Sequence, residues 1–155
     1  TLRPHVVVVL HGSFDVLDRK LLGSDEWQHV GMPEYDLIAT EAIGRMTDLF
    51  LGGGARVLWA AYPHVRTGIV DGQLPAHDHP ESDPFRMDRF NTLAREVVAA
   101  RPGAQMLELE RQLQAWPGGE LDRSRRLDGL HPDPDQVPTL AAWIGDQVLR
   151  LLRTP

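Results

Sequence analysis

Three short apolar runs divide the chain, and each has the character of a β-strand. The first, HVVVVL at residues 5–10, is rich in β-branched residues, shows no alternation and is bounded by Pro4 and Gly12. This pattern is typical of a strand that is buried on both faces of a parallel sheet. RVLWAAY at residues 56–62 and QMLEL at residues 105–109 predict a second strand and a weaker third one.

Three further stretches carry the three-and-four spacing of apolar residues that marks an amphipathic helix. The first extends from Pro33 to Leu51 and stops at three glycines. The second lies in the segment before Pro102, and the third extends from Pro138 to Leu152. The positions predicted to face the core are Tyr35, Ile38, Ala42, Met46 and Leu49, then Met87, Phe90, Leu93 or Ala94 and Val97, then Leu140, Ile144, Val148 and Leu151.

Strands that alternate with helices predict an α/β fold, a three-layer sandwich with a parallel sheet and helices on both of its faces. The length of 155 residues is that of a single domain, which we assign to residues 1–155. Ligands of open parallel sheets bind beyond the carboxyl ends of the strands. The segments that should carry chemistry are therefore residues 12–19, 63–85 and 116–131.

Composition restricts the classes of function. Hydrophobic residues make up 42% of the chain and charged residues 25%, as in ordinary globular domains, and no apolar run is long enough to cross a bilayer. The net charge of −6, with Lys20 as the single lysine, argues against a nucleic-acid partner, which requires a basic face. The absence of cysteine excludes disulfides and thiolate chemistry but leaves the compartment unknown.

The sequence DGLHP at residues 128–132 lies between the third predicted strand and the last helix. Two residues between an acid and a histidine allow one tight turn, eased by Gly129, to present both side chains to the same cleft. Asp128 would then orient the imidazole, and His131 would act as general base and afterwards as general acid. The alternative interpretation is a surface turn with a helix-capping aspartate.

In this position DGLHP resembles the last conserved block of the SGNH hydrolases, also called GDSL-type esterases. RPHVVVVLHGSFD at residues 3–15 is similar to the middle strand of that family and to the Gly-x-Asn-Asp block after it, with Gly12 and Asp15 at the first and last positions. The resemblance implies a flavodoxin-like SGNH fold, a catalytic role for Asp128 and His131 beside an N-terminal serine, and substrate or oxyanion contacts for Gly12 and Asp15.

Phe14 departs from this pattern, because the family places an oxyanion-stabilising asparagine there. With an aromatic residue at this position, the sequence is more similar to the SGNH domains that are fused to membrane acyltransferases. Those acyltransferases modify bacterial surface polysaccharides. This closer resemblance implies an extracytoplasmic bacterial location, a membrane acyltransferase domain as partner, and a carbohydrate ester or small ester as substrate.

No Gly-Asp-Ser occurs in the chain, which starts at Thr1. We therefore expect this to be an N-terminally incomplete portion of the domain, with the first strands and the nucleophile supplied from outside. Ser13, at the carboxyl end of the first predicted strand, is the alternative nucleophile, although it also suits a simple turn. Without the first strand of the family fold beside it, the strand at residues 5–10 would have an exposed edge. An upstream segment, another chain or a homodimer would cover this edge.

Two other features carry weaker chemical interpretations. His77, Asp78 and His79 have the side chains of metal ligands, but a solvated loop with no third fixed donor is the better interpretation, so we predict no metal and no cofactor. Trp116, next to Pro-Gly-Gly, is a candidate wall for a carbohydrate-binding cleft.

These observations leave two hypotheses about function. The first is a serine-dependent acyl-ester hydrolase or O-acyl-transfer domain in which Asp128 orients His131. The second is a catalytically inactive SGNH-like module that binds a polysaccharide or a protein partner, which Phe14 and the missing nucleophile favour.

Overall fold

The computed structural model describes residues 3–68, 73 and 79–153, and these form an α/β fold around a parallel sheet. Three strands make up the sheet: β1 (Val6–Val9), β4 (Arg56–Ala60) and β5 (Ala104–Leu107). Their order is β1-β4-β5, and both pairings are parallel. The predicted strands and their parallel arrangement are thus confirmed, each shortened by one or more residues at an end.

The helices also follow the sequence prediction closely. They are α1 (Pro33–Gly52), α2 (Pro84–Ala99), α3 (Leu109–Gln114) and α4 (Val137–Arg153). Proline near the start of α1 and α2 fits the first helical turn, where its missing N–H is not needed. The short helix α3 was not predicted, because six residues are too few to show a helical period.

Alternate residues of β4 face two separate cores. Val57 and Trp59 are buried with α1 and α2 on one face, whereas Leu58 and Ala60 are buried with α3 and α4 on the other. The sheet therefore has helices on both faces, as the alternation of elements predicted. Within the described part of the chain, no helix is both long and apolar enough to cross a bilayer.

The prediction that the first strand is buried on both faces is wrong. Val8 is 40% exposed and Leu10 is 61% exposed, because β1 lies at an edge of the described sheet while α4 packs against β4 and β5. The β-branched composition that suggested a central strand does not distinguish a central strand from an edge strand with one open side.

The predicted apolar stripe of α1 is also partly wrong. Tyr35 is buried, but Ile38 is 41% exposed and Leu49 is 71% exposed, and the buried face instead contains Ala39 and Ile43. Relative to the prediction, the buried face of α1 is shifted by about one residue along the helix, because α2 packs beside α1 on the same side of the sheet. In α2, by contrast, all the predicted core positions are buried.

Residues between β1 and α1 form a two-stranded antiparallel hairpin that was not predicted. Its strands are β2 (Arg19–Lys20) and β3 (Trp27–Gln28). Two-residue strands carry no detectable alternation, which is why the sequence pattern does not show them. Along the chain, the hairpin follows the carboxyl end of β1, and α3 follows that of β5.

Candidate active site

Asp128 and His131 form a hydrogen-bonded pair in the turn that precedes α4. The imidazole Nδ1 lies 2.7 Å from Asp128 Oδ2, and the other carboxylate oxygen accepts hydrogen bonds from the main-chain N–H groups of Leu130 (2.8 Å) and His131 (2.7 Å). Gly129 adopts a φ of 72°, the left-handed conformation that glycine favours, and this closes the turn. The two side chains therefore converge as the spacing predicted.

The Asp128 carboxylate is held in its ionised form. Desolvation opposes ionisation, but the hydrogen bonds from the His131 ring and from the two backbone amides outweigh it and lower the pKa of Asp128 to about 2. The His131 side chain is 72% exposed, so its ring is accessible to solvent. With Nδ1 directed at Asp128, Nε2 is the nitrogen that can meet a substrate or a nucleophile, and none of the described residues is hydrogen-bonded to it.

A fully buried arginine, Arg126, holds this turn against the rest of the fold. Its guanidinium donates to three main-chain oxygens, those of His64 (2.7 Å), Glu120 (2.8 Å) and Leu130 (2.9 Å). The main-chain N–H of Arg66 adds a 3.0 Å bond to the Gly129 oxygen. The loop after β4 and the turn before α4 are therefore fixed to each other.

His64, in the loop after β4, lies between two carboxylates. Its Nδ1 is 2.7 Å from Glu120 Oε1, its Nε2 is 2.8 Å from Asp88 Oδ1, and its side chain is only 17% exposed. The hydrogen bond to Glu120 is the main cause that raises the pKa of His64 to about 9, with a further contribution from Asp88 against the opposing effect of burial. At neutral pH His64 is thus an imidazolium that joins the loop after β4, α2 and the segment after α3.

Sequence reasoning missed His64, Glu120 and Arg126, although all three fall in or beside the segments beyond the carboxyl ends of the strands. None belongs to a short motif, and Arg126 stands in a run of arginines that is indistinguishable from a solvated surface. The signal that does exist is the position of His64 four residues after the last residue of β4.

The chain after β1 approaches the loop after β4 at Gly12. A Cβ atom added at Gly12 would lie 2.7 Å from Tyr62 Cβ, so only glycine fits there without a shift of its neighbours. Ser13, the candidate nucleophile, is partly buried and makes no hydrogen bond to His131 in the described structure. Asp15, predicted to contact substrate, has its Oδ2 2.6 Å from His11 Nδ1.

Trp116, predicted to line a cleft, follows α3 and packs partly against the core formed by α3, α4 and β5. The Arg125 guanidinium lies 5.5 Å from the centre of its ring. His77 and Asp78, from the alternative metal site, lie outside the described residues. Their neighbour His79 is 3.9 Å from a Glu81 oxygen, and no cluster of three metal-binding side chains occurs in the part of the chain that the structure describes.

Comparison of the sequence with protein-family models and with curated proteins gave no match. The geometry of Asp128 and His131, and of the groups that hold them, is therefore the basis for assigning a function.

Proposed function

We propose that the chain carries the acid–base part of a serine-dependent acyl-ester hydrolase or O-acyl-transfer domain. The observation that supports it is the Asp128–His131 pair, with Nδ1 2.7 Å from the carboxylate and the opposite side of the ring open to solvent. A carboxylate that fixes the tautomer and stabilises an imidazolium is what nucleophilic catalysis by a hydroxyl requires.

In the proposed reaction, His131 Nε2 accepts the proton of a serine hydroxyl while the serine oxygen bonds to the acyl carbon of the ester. The alcohol leaves with the proton returned by His131, and the acyl group remains on the serine. His131 then removes a proton from water or from an acceptor hydroxyl, which takes the acyl group and restores the serine. Asp128 remains a carboxylate throughout and stabilises the charged ring.

Ser13 and a serine from outside these residues are both candidates for the nucleophile. Ser13 follows Gly12, which contacts the same loop that Arg126 fixes to the His131 turn. An acylated saccharide or a small ester is the proposed substrate class, and the resemblance to domains fused to membrane acyltransferases is its support.

A second candidate function is supported by Phe14. It is 73% exposed at the position where the SGNH hydrolases that the sequence resembles carry an oxyanion-stabilising asparagine, so no side-chain amide is present there to stabilise developing charge. An exposed aromatic ring suits contact with a sugar face or a protein, as expected for a catalytically inactive binding module.

Hydrolysis of p-nitrophenyl acetate by wild type, His131→Ala and His79→Ala separates the two candidates. His79 is a matched control, since it is a partly exposed histidine whose nearest carboxylate among the described residues, that of Glu81, is 3.9 Å away. The esterase proposal predicts that only His131→Ala loses turnover, by about 100-fold or more. Equal rates for the three proteins, both as this chain and as the full-length gene product, would contradict the proposal and favour the binding module.

A further inference from the structure

A cavity of about 200 Å³ lies beside α1, on the sheet face that α1 and α2 cover. Much of its wall is apolar, and α1 contributes Ile38, Ala42 and Met46 of the predicted stripe together with the buried Ala39 and Ile43. Phe90 and Trp59 also line the cavity. The volume exceeds the roughly 150 Å³ at which an apolar protein cavity already takes up benzene.

Polar groups line another part of this cavity. His11 and Asp15 form a close charge contact, and the indole Nε1–H of Trp59 is buried without an acceptor. Tyr35, also in the wall, already donates its hydroxyl proton to the Asp15 main-chain oxygen.

Arg19 places a guanidinium in this polar part of the wall. Its guanidinium lines the cavity and donates to the Phe14 main-chain oxygen at 2.6 Å, but it forms no ion pair with any carboxylate of the described residues. Asp15 lies in the same wall, but its carboxylate contacts the His11 ring and not Arg19. An apolar cavity beside an unpaired guanidinium is complementary to an anion with an apolar body.

We propose that this cavity binds a small monocarboxylate whose apolar body is about the size of a six-carbon chain or a benzene ring. The carboxylate contacts Arg19, and the body lies against the α1 wall formed by Ile38, Ala42 and Met46. The site is independent of the acyl-transfer proposal, because binding requires neither Asp128 nor His131.

Titration calorimetry with hexanoate, with hexanamide as the uncharged control, tests the charge requirement. Hexanoate should bind with a dissociation constant in the millimolar range or below, and hexanamide about tenfold more weakly. Arg19→Gln should remove that preference. Arg45→Gln, which deletes another exposed arginine of the same chain, should leave it unchanged.

The position of the ligand is tested by the indole N–H resonance of Trp59 and by a variant that narrows the cavity. Hexanoate should shift the Trp59 resonance, which Trp59→Phe identifies, and Ala42→Leu should weaken binding of both compounds while the melting temperature stays within a few degrees of wild type. The absence of saturable hexanoate binding up to about 20 mM would overturn the proposal. So would an equal effect of Arg19→Gln and Arg45→Gln, or binding that leaves the Trp59 resonance unmoved.

Discussion

Arg126 donates a hydrogen bond of 2.7 Å to the main-chain oxygen of His64, 62 residues earlier in the chain. The same guanidinium bonds the oxygen of Leu130, next to His131. One buried side chain therefore connects the end of a central strand to the proposed catalytic turn. The position of His131 thus depends on contacts that are far apart in sequence.

Replacement of Arg126 by methionine should destabilise the protein strongly. The change would leave three buried carbonyl oxygens without donors, at a cost of about 3 kcal/mol in the free energy of unfolding. Thermal unfolding, followed by circular dichroism, measures this loss of stability. The matched change at the exposed Arg45 of α1 should stay within about 0.5 kcal/mol of wild type, and equal losses at the two positions would contradict the role assigned to Arg126.

His64 should make stability fall as the pH rises. Its pKa of about 9 in the folded protein is above the ordinary value of 6.5, so its contribution is complete below pH 6.5 and is lost as the pH rises through 9. The shift corresponds to a loss on the order of 3 kcal/mol. Urea unfolding at pH 6 and pH 10 should show this loss in wild type and a much smaller one in His64→Gln; the same loss in both proteins would exclude His64 as its source.

Asp128→Asn should reduce ester turnover while the fold remains intact. The neutral amide cannot stabilise the imidazolium of His131 as the carboxylate does, and its NH₂ group can donate to Nδ1 and so hold the wrong tautomer of the ring. We therefore expect a loss of kcat on the order of 10²- to 10⁴-fold. The control is Asp135→Asn, an exposed acid a few residues further along the chain. An Asp128→Asn enzyme with the kcat of wild type would show that this carboxylate does not assist catalysis.

Gly12→Ala should destabilise the protein even though alanine adds only one carbon atom to the side chain. That carbon would lie 2.7 Å from Tyr62 Cβ, and relief of the clash requires the loops after β1 and β4 to separate, at a cost of about 1–3 kcal/mol. Gly145→Ala is the matched comparison, since its added Cβ has no neighbour within 4 Å and it lies inside α4. We expect Gly145→Ala to stabilise by up to about 1 kcal/mol. The same sign for both changes in a chemical-unfolding experiment would refute the close approach at Gly12.

The sequence is informative where a feature is local. The parallel strands, the long helices and the Asp128–His131 turn all depend on residues within a few positions of each other, and each could be predicted from spacing and turn chemistry. The buried face of α1 could not, since it depends on where α2 packs, and periodicity cannot show that Ile38 stays partly exposed while its neighbour Ala39 enters the core.

The missed polar residues have a similar explanation. Glu120 bonds His64 across 56 residues, and both belong to loops that lack a recognisable motif. Before the strands are placed side by side, nothing distinguishes Arg126 from the neighbouring Arg125. The burial that makes these groups structurally important is a property of the assembled loops.

The rate of covalent labelling by a fluorophosphonate tests most directly whether His131 activates a serine. Wild type, His131→Ala and His79→Ala are compared at neutral pH, and the modified residue is identified by mass spectrometry of the peptides, in this chain and in the full-length gene product. If His131 activates a serine, we expect one serine to be labelled. Its labelling rate should fall about 100-fold or more in His131→Ala and stay unchanged in His79→Ala. No labelled serine, or labelling at the same rate in all three proteins, would contradict it.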